Sequence, residues 1–551
     1  MFLLPALLSQ GLLKTKEVYQ LPASHYYGLE SVVLTLSFMA LARIKNPEQL
    51  KQCRPGEIGR IIGLDRIPEV SCLRDKIKML SDQQQSQKLN LLLIDHWYNP
   101  SDQQDLFLYI DGHVRIYYGT KANLPAKFVS RQKLCLSATT EYWVNDAQGQ
   151  PVMMVMGELS EKLQTAIEEL IIPQLQQTVL LPTPLAGEQE QATDQNAAIA
   201  TSHQTGQPKV AVCTLIFDRE AYSPAFFQRL WDKWQIAIIT YRKNVKDKWE
   251  PECFTSNEVT VLEQTIAMHL CERKVTLDGI VFREIRCLGE GGHQTSVITN
   301  NDIISMATVA GRMFGRWVQE NFFRYLIMDY DFDKIIEFGT LAIDQNKEVV
   351  NPAYRKLTHQ LKKEREKIQR LKAQQYTLAE QSIDAALEDI PALTAKQMQL
   401  MEKSEQHALN EQQILQHRDK IQARIKLKDM ADQQRYNKLK PESKMLMNII
   451  KMICYRAESA VANLLTEFFI RARDEKRMLV KQIIQTSADL IPDPKNKTLT
   501  VLLHSLSAPR FNAAAEKIAQ LLTETQSIFP GTDLTIIFKT SAQQTAKGKE
   551  F

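Results

Sequence analysis

Alternating apolar and polar residues mark one segment of the chain as a half-buried β-strand. The segment is LFLYIDGHVRIYYG, residues 106–119. Because successive side chains of a strand point to opposite faces, the odd-numbered residues from Phe107 to Tyr117 share one face. Asp111 therefore lies in mid-strand, on the same face as His113 and Arg115. The pattern predicts the strand and leaves the role of this carboxylate to be explained.

The same pattern predicts further strands and a β-α-β unit. NLLLIDHWY, KLCLSATTEYWVN and PVMMVMGEL have strand character, and DAQGQP (146–151) predicts a hairpin turn between the last two. KVAVCTLIFDRE (209–220) is nearly all apolar up to Asp218, as in a strand buried on both faces. A helix with Ser223 as N-cap and Pro224 at its first position precedes a second buried strand, IAIITY. We expect a right-handed crossover between two parallel strands, with Asp218 at the carboxyl end of the first.

A long helix from about Asp302 to Asp329 contains a third notable acid. Its buried stripe consists of apolar residues at helical spacing: Met306, Ala310, Met313 and Trp317. Glu320 continues this stripe, and a carboxylate on a buried face is costly unless a cation pairs with it. Arg316, Arg324 or a metal ion could supply that cation, and the spacing alone favours an arginine.

The chain is long enough for several domains. Residues 1–88 are predicted to be helical, and GEIGRIIGLDRIPEVSCLRDKIKML within them fits a DNA-binding helix-turn-helix or an ordinary helical hairpin equally well. Residues 89–340 are predicted to form a mixed sheet flanked by helices, with a β-rich insertion at about 243–300. Residues 341–441 are predicted to form a coiled coil or a helical hairpin broken at a proline, with helix to about residue 440. Residues 442–551 should form one helix, to about residue 487, and a small α/β unit.

Composition changes this picture little. Of 551 residues, 44% are hydrophobic and 24% charged, and the net charge of +4 says little about partners. The eight cysteines are scattered without a Cys-x-x-Cys spacing, which indicates reduced thiols in a cytosolic protein. No apolar run approaches the roughly 18 residues of a membrane span, so we expect no membrane partner. Residues 182–208 read as a solvated loop, and residues 542–551 as a disordered tail.

Three carboxylates could together hold hard dications. Phosphodiester chemistry often uses two such ions about 3.5–4 Å apart, and Mg²⁺ accepts carboxylate oxygens without a histidine or cysteine cage. Asp111, Asp218 and Glu320 fit this requirement if the fold brings them together. Each acid also has a structural alternative. Asp111 could pair with Arg115, Asp218 could cap a turn, and Glu320 could pair with an arginine on its own helix.

An ordered set of segments resembles the DDE transposases of bacterial insertion sequences. The segments are YIDGHVRIYYG, KLCLSATTEYWVND, LIFDREAYSPAFFQRLW, REIRCLGEGGHQTSVITN, RMFGRWVQENFFRY and VVNPAYR, between about residues 90 and 355. The resemblance implies an α/β fold with a ribonuclease H-like mixed sheet. It also implies that Asp111 is the first catalytic acid, on the first core strand. Asp218 would be the second, ending the fourth core strand, and Glu320 the third, on the helix after the insertion.

The family's helix signature is half present in this chain. Arg316 and Glu320 stand at its arginine and glutamate positions, whereas Met313 and Ile327 replace its tyrosine and lysine. Roles of the two missing residues therefore do not transfer to this chain.

Further cations are candidates for phosphate binding. Arg312, Arg316 and Arg324 are spaced at one helical turn or two and could bind phosphates, or they could form a salt-bridged stripe. His113 and Arg115 could contact the scissile phosphate, although a structural hydrogen bond is the favoured alternative for His113.

The resemblance implies a transposase that cleaves DNA at element ends and joins the freed 3′-hydroxyl to target DNA. The expected cofactors are two Mg²⁺ or Mn²⁺ ions. The expected partners are double-stranded DNA and further copies of this chain, in a homodimer or a higher oligomer. The expected location is the bacterial cytoplasm, at the nucleoid. Two alternatives stay open: a metal-dependent nuclease without strand transfer, and a catalytically inactive DNA-binding or assembly protein derived from a transposase.

Overall fold

The computed structural model describes residues 1–23, 26–99, 106–159, 161–181, 210–261, 264–332, 339–383, 390–432, 435–469 and 473–541. The chain divides into two compact units. The larger unit contains residues 1–117, 127–338 and 440–551, and the smaller unit contains residues 118–126 and 339–439. The predicted loop at 182–208 and the predicted tail at 542–551 lie outside the described residues.

A ten-stranded mixed sheet dominates the larger unit. Its strands are β1 (Phe107–Ile116), β2 (Ala126–Val129), β3 (Leu134–Asn145), β4 (Pro151–Gly157), β5 (Cys213–Ile216), β6 (Ile236–Tyr241), β7 (Thr255–Val261), β8 (Gln264–Leu277), β9 (Ile280–Leu288) and β10 (Gln294–Thr299). The order is β2-β3-β1-β5-β6-β10-β9-β8-β7, and β4 pairs with β3 outside this path. β1, β5 and β6 are parallel neighbours, whereas β3 and β4 on one side and β7 to β10 on the other pair in antiparallel fashion.

The two faces of β1 confirm the alternation seen in the sequence. Phe107 and Tyr109 pack in one hydrophobic cluster, and Leu108 and Ile110 pack in another. The β-α-β unit is confirmed as well. β5 and β6 are parallel, and the helix Pro224–Trp234 connects them. Its N-cap is Ser223, whose hydroxyl accepts the N–H of Phe226 at 3.4 Å.

Two predicted elements near the sheet were wrong. NLLLIDHWY lies in a helix, Ser86–Trp97, rather than a strand, because its buried residues recur every four positions, as at Leu89 and Leu93. The single helix predicted from about 302 to 329 is two helices, Met306–Phe314 and Trp317–Tyr330. The interruption falls at Gly315, a weak helix former, where a Cβ atom would meet the carbonyl oxygen of Gly311 at 2.8 Å.

Helices before and after the sheet in the sequence pack together within the larger unit. Those described are Leu4–Ser9, Leu29–Leu41, Pro55–Ile61, Val70–Asp82, Ser86–Trp97, Glu442–Leu464, Arg473–Gln485 and Pro509–Glu524. Two short helices, Leu163–Ala166 and Ile172–Leu175, lie between β4 and β5 and pack in a separate cluster. Helix Glu442–Leu464 is buried along most of its length. It contacts helices that precede it in the chain, such as Leu29–Leu41 and Val70–Asp82, and the helix that follows it, Arg473–Gln485. The single helix predicted over 442–487 is therefore interrupted, since a second helix begins only at Arg473.

The chain ends in a three-stranded sheet of β15 (Ala488–Asp493), β16 (Thr498–Leu503) and β17 (Thr535–Thr540). The predicted strand-helix-strand at this end is confirmed, with β16 parallel to β17. β15 was not predicted.

The smaller unit contains two long helices, Pro352–Ile383 and Ile390–Asp419. They run antiparallel, since Arg365 contacts Glu411 at 2.7 Å. Short strands complete the unit: β11 (Thr340–Ala342), β12 (Glu348–Val350), β13 (Arg424–Lys426) and β14 (Asn437–Leu439). The arrangement is a helical hairpin, and a coiled coil stays a prediction. The helix predicted to about residue 440 was wrong beyond Asp419, where strand and turn begin.

The fold is thus mixed α/β, with a large mixed sheet and helices packed against it. In the described part of the chain, no helix combines the length and apolar character needed to cross a membrane. The predicted domain boundaries at residues 88, 340 and 441 stay predictions.

Candidate active site

Parallel pairing of β1 with β5 places two aspartates side by side. Tyr109 of β1 pairs with Ile216, the last residue of β5. Two residues further along each chain segment lie Asp111 and Asp218. The shared register therefore brings both carboxylates to the same level of the sheet, although 106 residues separate them in the sequence.

Asp218 has the capping role that was considered for it. Its Oδ1 accepts the N–H of Arg219 at 2.7 Å and caps the short 3₁₀ turn Arg219–Ala221. Its Oδ2 faces Arg316 at 3.9 Å. Capping therefore orients the carboxyl group and leaves its second oxygen available to the site.

Glu320 lies in helix Trp317–Tyr330, here called the site helix. The prediction that it continues a buried stripe was wrong, because its side chain is 49% exposed and Trp317 is 66% exposed. The interruption at Gly315 ends the stripe of the preceding helix and rotates the next one out of phase. Gln319, 1% exposed, takes the inward position instead.

The three acids meet at Arg316. Its Nη2 lies 2.9 Å from Glu320 Oε1 and 3.9 Å from Asp218 Oδ2, and its Nη1 lies 3.9 Å from Asp111 Oδ2. The first contact is a charge-assisted hydrogen bond, and the other two are at the outer limit of an ion pair. Three acids from distant parts of the chain, here called the carboxylate cluster, thus surround one guanidinium.

Burial and neighbouring charge perturb Asp111. Loss of water around its carboxyl raises the pKa of Asp111 to about 6. The Arg316 guanidinium and the N–H of Gly112, 2.9 Å from Oδ1, oppose this shift, whereas the charges of Glu220 and Asp218 add to it. A carboxyl that is both desolvated and surrounded by acids marks a candidate functional site.

A protein-family comparison decides the wider identity of this chain. A family model described as a transposase protein matches residues 1–542. The chain belongs to this transposase family. No curated protein and no solved structure matches the sequence.

Gln319 is a site residue that the sequence analysis of this transposase missed. Its Nε2 lies 3.2 Å from the carbonyl oxygens of Tyr109 and Trp143 and 3.1 Å from Oδ1 of Asn145. These contacts connect the site helix to β1 and β3. Gln319 directly precedes Glu320 on the helix, and its partner Tyr109 lies two residues before Asp111 on β1. The hydrophobic periodicity did not reveal Gln319, since its inward position depends on the helix interruption.

Two further ionisable groups near the site, Lys127 and Tyr241, were also missed. Lys127 on β2 donates to Thr140 Oγ1 at 2.5 Å. Burial lowers the pKa of Lys127 to about 8, against the opposing charges of Glu161 and Glu220. Burial raises the pKa of Tyr241, at the end of β6, and the charges of Asp218 and Glu320 add to that rise while Arg316 opposes it. No motif singled out these residues, because only the folded sheet brings their segments together.

His113 and Arg115 have structural surroundings in this transposase. The His113 ring lies 5.5 Å from the Phe323 ring, stacked on it, and 4.7 Å from the Phe332 ring. Arg115 is 3% exposed, and its Nε lies 3.3 Å from Oε1 of the fully buried Glu141. Asp111 therefore does not pair with Arg115 as one alternative supposed. Both side chains contact neighbouring residues of the protein, and phosphate binding by them stays an untested prediction.

Arg312 and Arg324 differ in their surroundings. The Arg312 guanidinium lies 4.5 Å from the Phe107 ring centroid. The backbone carbonyl oxygen of Arg312 accepts a hydrogen bond from the Tyr109 hydroxyl at 2.9 Å. Arg324 is exposed on the site helix, one turn beyond Glu320. Arg324 is therefore the more exposed of the two residues, and Arg312 is partly buried.

The donor chemistry of the carboxylate cluster fits a hard dication. Carboxylate oxygens are the ligands that Mg²⁺ accepts, and the cluster already surrounds a cation, the Arg316 guanidinium. As placed, however, the described residues contain no group of three acidic, histidine or cysteine side chains near enough to each other to hold a metal ion. Metal binding would therefore require the carboxylates to move closer together.

Proposed function

We propose that this transposase cleaves DNA at element ends and joins the freed 3′-hydroxyl to target DNA, on a ribonuclease H-like core of the DDE type. Asp111, Asp218 and Glu320 would be its catalytic acids. The proposal includes an origin in a bacterial insertion sequence, with the protein acting on the nucleoid in the cytoplasm.

The strand arrangement supports the proposed core. β4, β3, β1, β5 and β6 lie side by side, with the first three antiparallel and the last three parallel. In chain order, leaving out the short edge strand β2, the first of these strands is β1, which contains Asp111. The fourth is β5, and Asp218 follows it. The antiparallel strands β7 to β10 precede the helix pair that contains Glu320. These positions in the chain support the proposal for the three acids.

The meeting of three distant carboxylates at Arg316 is the observation that carries the proposal. The i,i+4 spacing accounts for Glu320 beside Arg316, but nothing in the local sequence requires Asp111 and Asp218 to lie within 3.9 Å of the same guanidinium. Like charges repel, so bringing three acids together lowers stability unless a cation compensates them. Such arrangements of acids occur preferentially at functional sites.

In the proposed reaction the three carboxylates would hold two Mg²⁺ or Mn²⁺ ions. When bound, such ions would activate the attacking oxygen and stabilise the charge on the leaving oxygen. Gln319 would keep the site helix in place against β1 and β3 through its three contacts. Arg324, exposed one turn beyond Glu320, would contact a phosphate of the bound strand.

Double-stranded DNA, at the element ends and at the target, is the proposed partner. A homodimer or higher oligomer is proposed as well, because two element ends must be held together for strand transfer. The helical hairpin of Pro352–Ile383 and Ile390–Asp419 is the proposed element for DNA contact or for pairing between copies.

The test is a nicking and strand-transfer assay with the full chain, DNA carrying element ends, and Mg²⁺. Asp111→Asn, Asp218→Asn and Glu320→Gln should each abolish nicking while DNA binding persists. Arg229→Gln, which removes a paired arginine on helix Pro224–Trp234, serves as the control and should nick at the wild-type rate. Nicking at the wild-type rate in any of the three acid variants would refute the assignment.

The same assay separates the alternative functions. Protein that nicks uncut element ends but never joins pre-cut ends to target DNA would indicate a nuclease without strand transfer. One observation favours an inactive protein: Arg316 neutralises part of the cluster, as in an ordinary structural ion-pair network. Wild-type protein that binds DNA but shows no metal-dependent nicking or joining would support that alternative.

A further inference from the structure

Arg316 lies between the three acids that the proposed function assigns to metal binding. Its Nη2 hydrogen-bonds Glu320 at 2.9 Å, and its two terminal nitrogens face Asp111 and Asp218 at 3.9 Å each. We propose that Arg316 is the resident counter-ion of the metal-free site, which competes with dications for the three carboxylates. This inference rests on the proposed function, because it presumes that the cluster binds metal.

The charges explain why a resident cation is needed. Three carboxylates face one guanidinium, so negative charge is in excess even with Arg316 in place. The side chains of Asp218 and Glu320 are the more open part of the cluster, at 47% and 49% exposed. The other part is shielded from water, since the Arg316 side chain is 14% exposed and that of Asp111 is 27% exposed. Repulsion between acids is stronger in such a setting than in bulk water. Without Arg316 the metal-free cluster would therefore open or disturb its neighbours.

The distances explain why Arg316 and a dication exclude each other. A guanidinium is a wide planar fork, and its contacts hold the carboxylates apart around it. Mg²⁺ instead binds oxygens at about 2.0–2.1 Å. In the described residues no three such side chains are close enough for this. The acids can close around a small ion only when the guanidinium has left.

The position of Arg316 in the backbone allows it to leave without unfolding a helix. It is the N-cap residue at the junction of helices Met306–Phe314 and Trp317–Tyr330. Its backbone N–H donates to Met313 at 3.3 Å, and its carbonyl accepts the N–H of Gln319 at 3.0 Å. These bonds involve the main chain alone, so rotation of the long side chain leaves them intact. A released guanidinium beside the cluster could then pair with a DNA phosphate.

The experiment measures Mn²⁺ binding to the full chain without DNA by titration calorimetry. The proteins compared are the wild type, Arg316→Gln, and the matched control Arg229→Gln. Arg229 also pairs with a glutamate, at 3.0 and 3.1 Å from Glu168, but on another helix. Arg316→Gln should bind Mn²⁺ about tenfold more tightly than the wild type, a factor equal to about 1.4 kcal/mol. The control should bind like the wild type, and adding Asp218→Asn to Arg316→Gln should remove the gain.

A second variant protects the test against misfolding. Arg316→Lys keeps a positive charge but lacks the fork, so its Mn²⁺ affinity should fall between those of wild type and Arg316→Gln. Equal or weaker binding by both variants, with the control unchanged, would overturn the competition and leave the metal site standing. Mn²⁺ binding that is insensitive to Asp218→Asn in every protein would overturn the proposed metal site, and the competition with it.

Discussion

Gln319 offers the sharpest prediction, because one buried amide joins three elements of the site. The change is Gln319→Leu, which keeps much of the side-chain volume but removes both the amide donor and the oxygen. Nε2 contacts two carbonyl oxygens and Asn145 Oδ1, but its two protons can make only two full hydrogen bonds. The variant therefore leaves about two buried acceptors without a donor.

The magnitude follows from opposing effects. Each buried acceptor left without a partner costs about 1–3 kcal/mol. The Gln319 Oε1 atom is itself buried without a hydrogen-bond partner, so its removal returns part of this cost. We expect a net loss of about 2 kcal/mol in the free energy of unfolding. Because the urea slope increases with protein size beyond the roughly 1–3 kcal/mol per molar of small proteins, the midpoint of the transition should fall by somewhat less than about 1 M.

Urea unfolding of the full chain, followed by far-UV circular dichroism, measures this shift. The control is Gln177→Leu, because the Gln177 side chain is exposed and donates to one carbonyl, that of Pro173, at 2.9 Å. The control midpoint should change by less than about 0.3 M. A Gln319→Leu midpoint equal to that of the wild type would show that the amide does not anchor the site helix. Nicking should decrease more than stability explains, because Glu320 follows Gln319 directly.

Two further predictions concern ionisable groups beside the site. Arg115→Met should lower the free energy of unfolding by about 3–5 kcal/mol, because Glu141 stays buried after losing its arginine partner. If the variant instead binds DNA more weakly in filter assays without any loss of stability, Arg115 binds a phosphate of the DNA. Lys127 should make the free energy of unfolding increase with pH between about pH 8 and 10.5. Its pKa is lowered to about 8 in the folded state, so in this range the folded state binds fewer protons than the unfolded chain. Thermal unfolding of wild type and Lys127→Met should show the wild type gaining relative stability across that window, and parallel pH curves would contradict the shift.

Local patterns in the sequence were sufficient to predict much of the sheet. The period of two along β1 placed Asp111 correctly on its face, and the apolar run of β5 placed Asp218 after its end. Both signals are local, since they depend on neighbours within a few residues. A short apolar run is ambiguous by comparison, and LLLI within Ser86–Trp97 was read as a strand although its packing partners make it a helix.

The contacts between distant segments could not be predicted from such patterns. Pairing of β1 with β5 sets Asp111 beside Asp218, and this register depends on the packing of the whole sheet. The pairing of Arg115 with Glu141 arises from β3 in the same way, so the identity of the partner was not visible in β1. The interruption at Gly315 moved Glu320 outward and Gln319 inward, an effect that a continuous helical periodicity does not contain.

Whether Asp111, Asp218 and Glu320 form one metal site can be measured by anomalous diffraction from crystals of the full chain with Mn²⁺ and DNA bearing element ends. We expect Mn²⁺ peaks within coordination distance of all three carboxylates, with the Arg316 guanidinium displaced from between them. Peaks elsewhere, with the three acids still gathered on Arg316, would contradict this expectation.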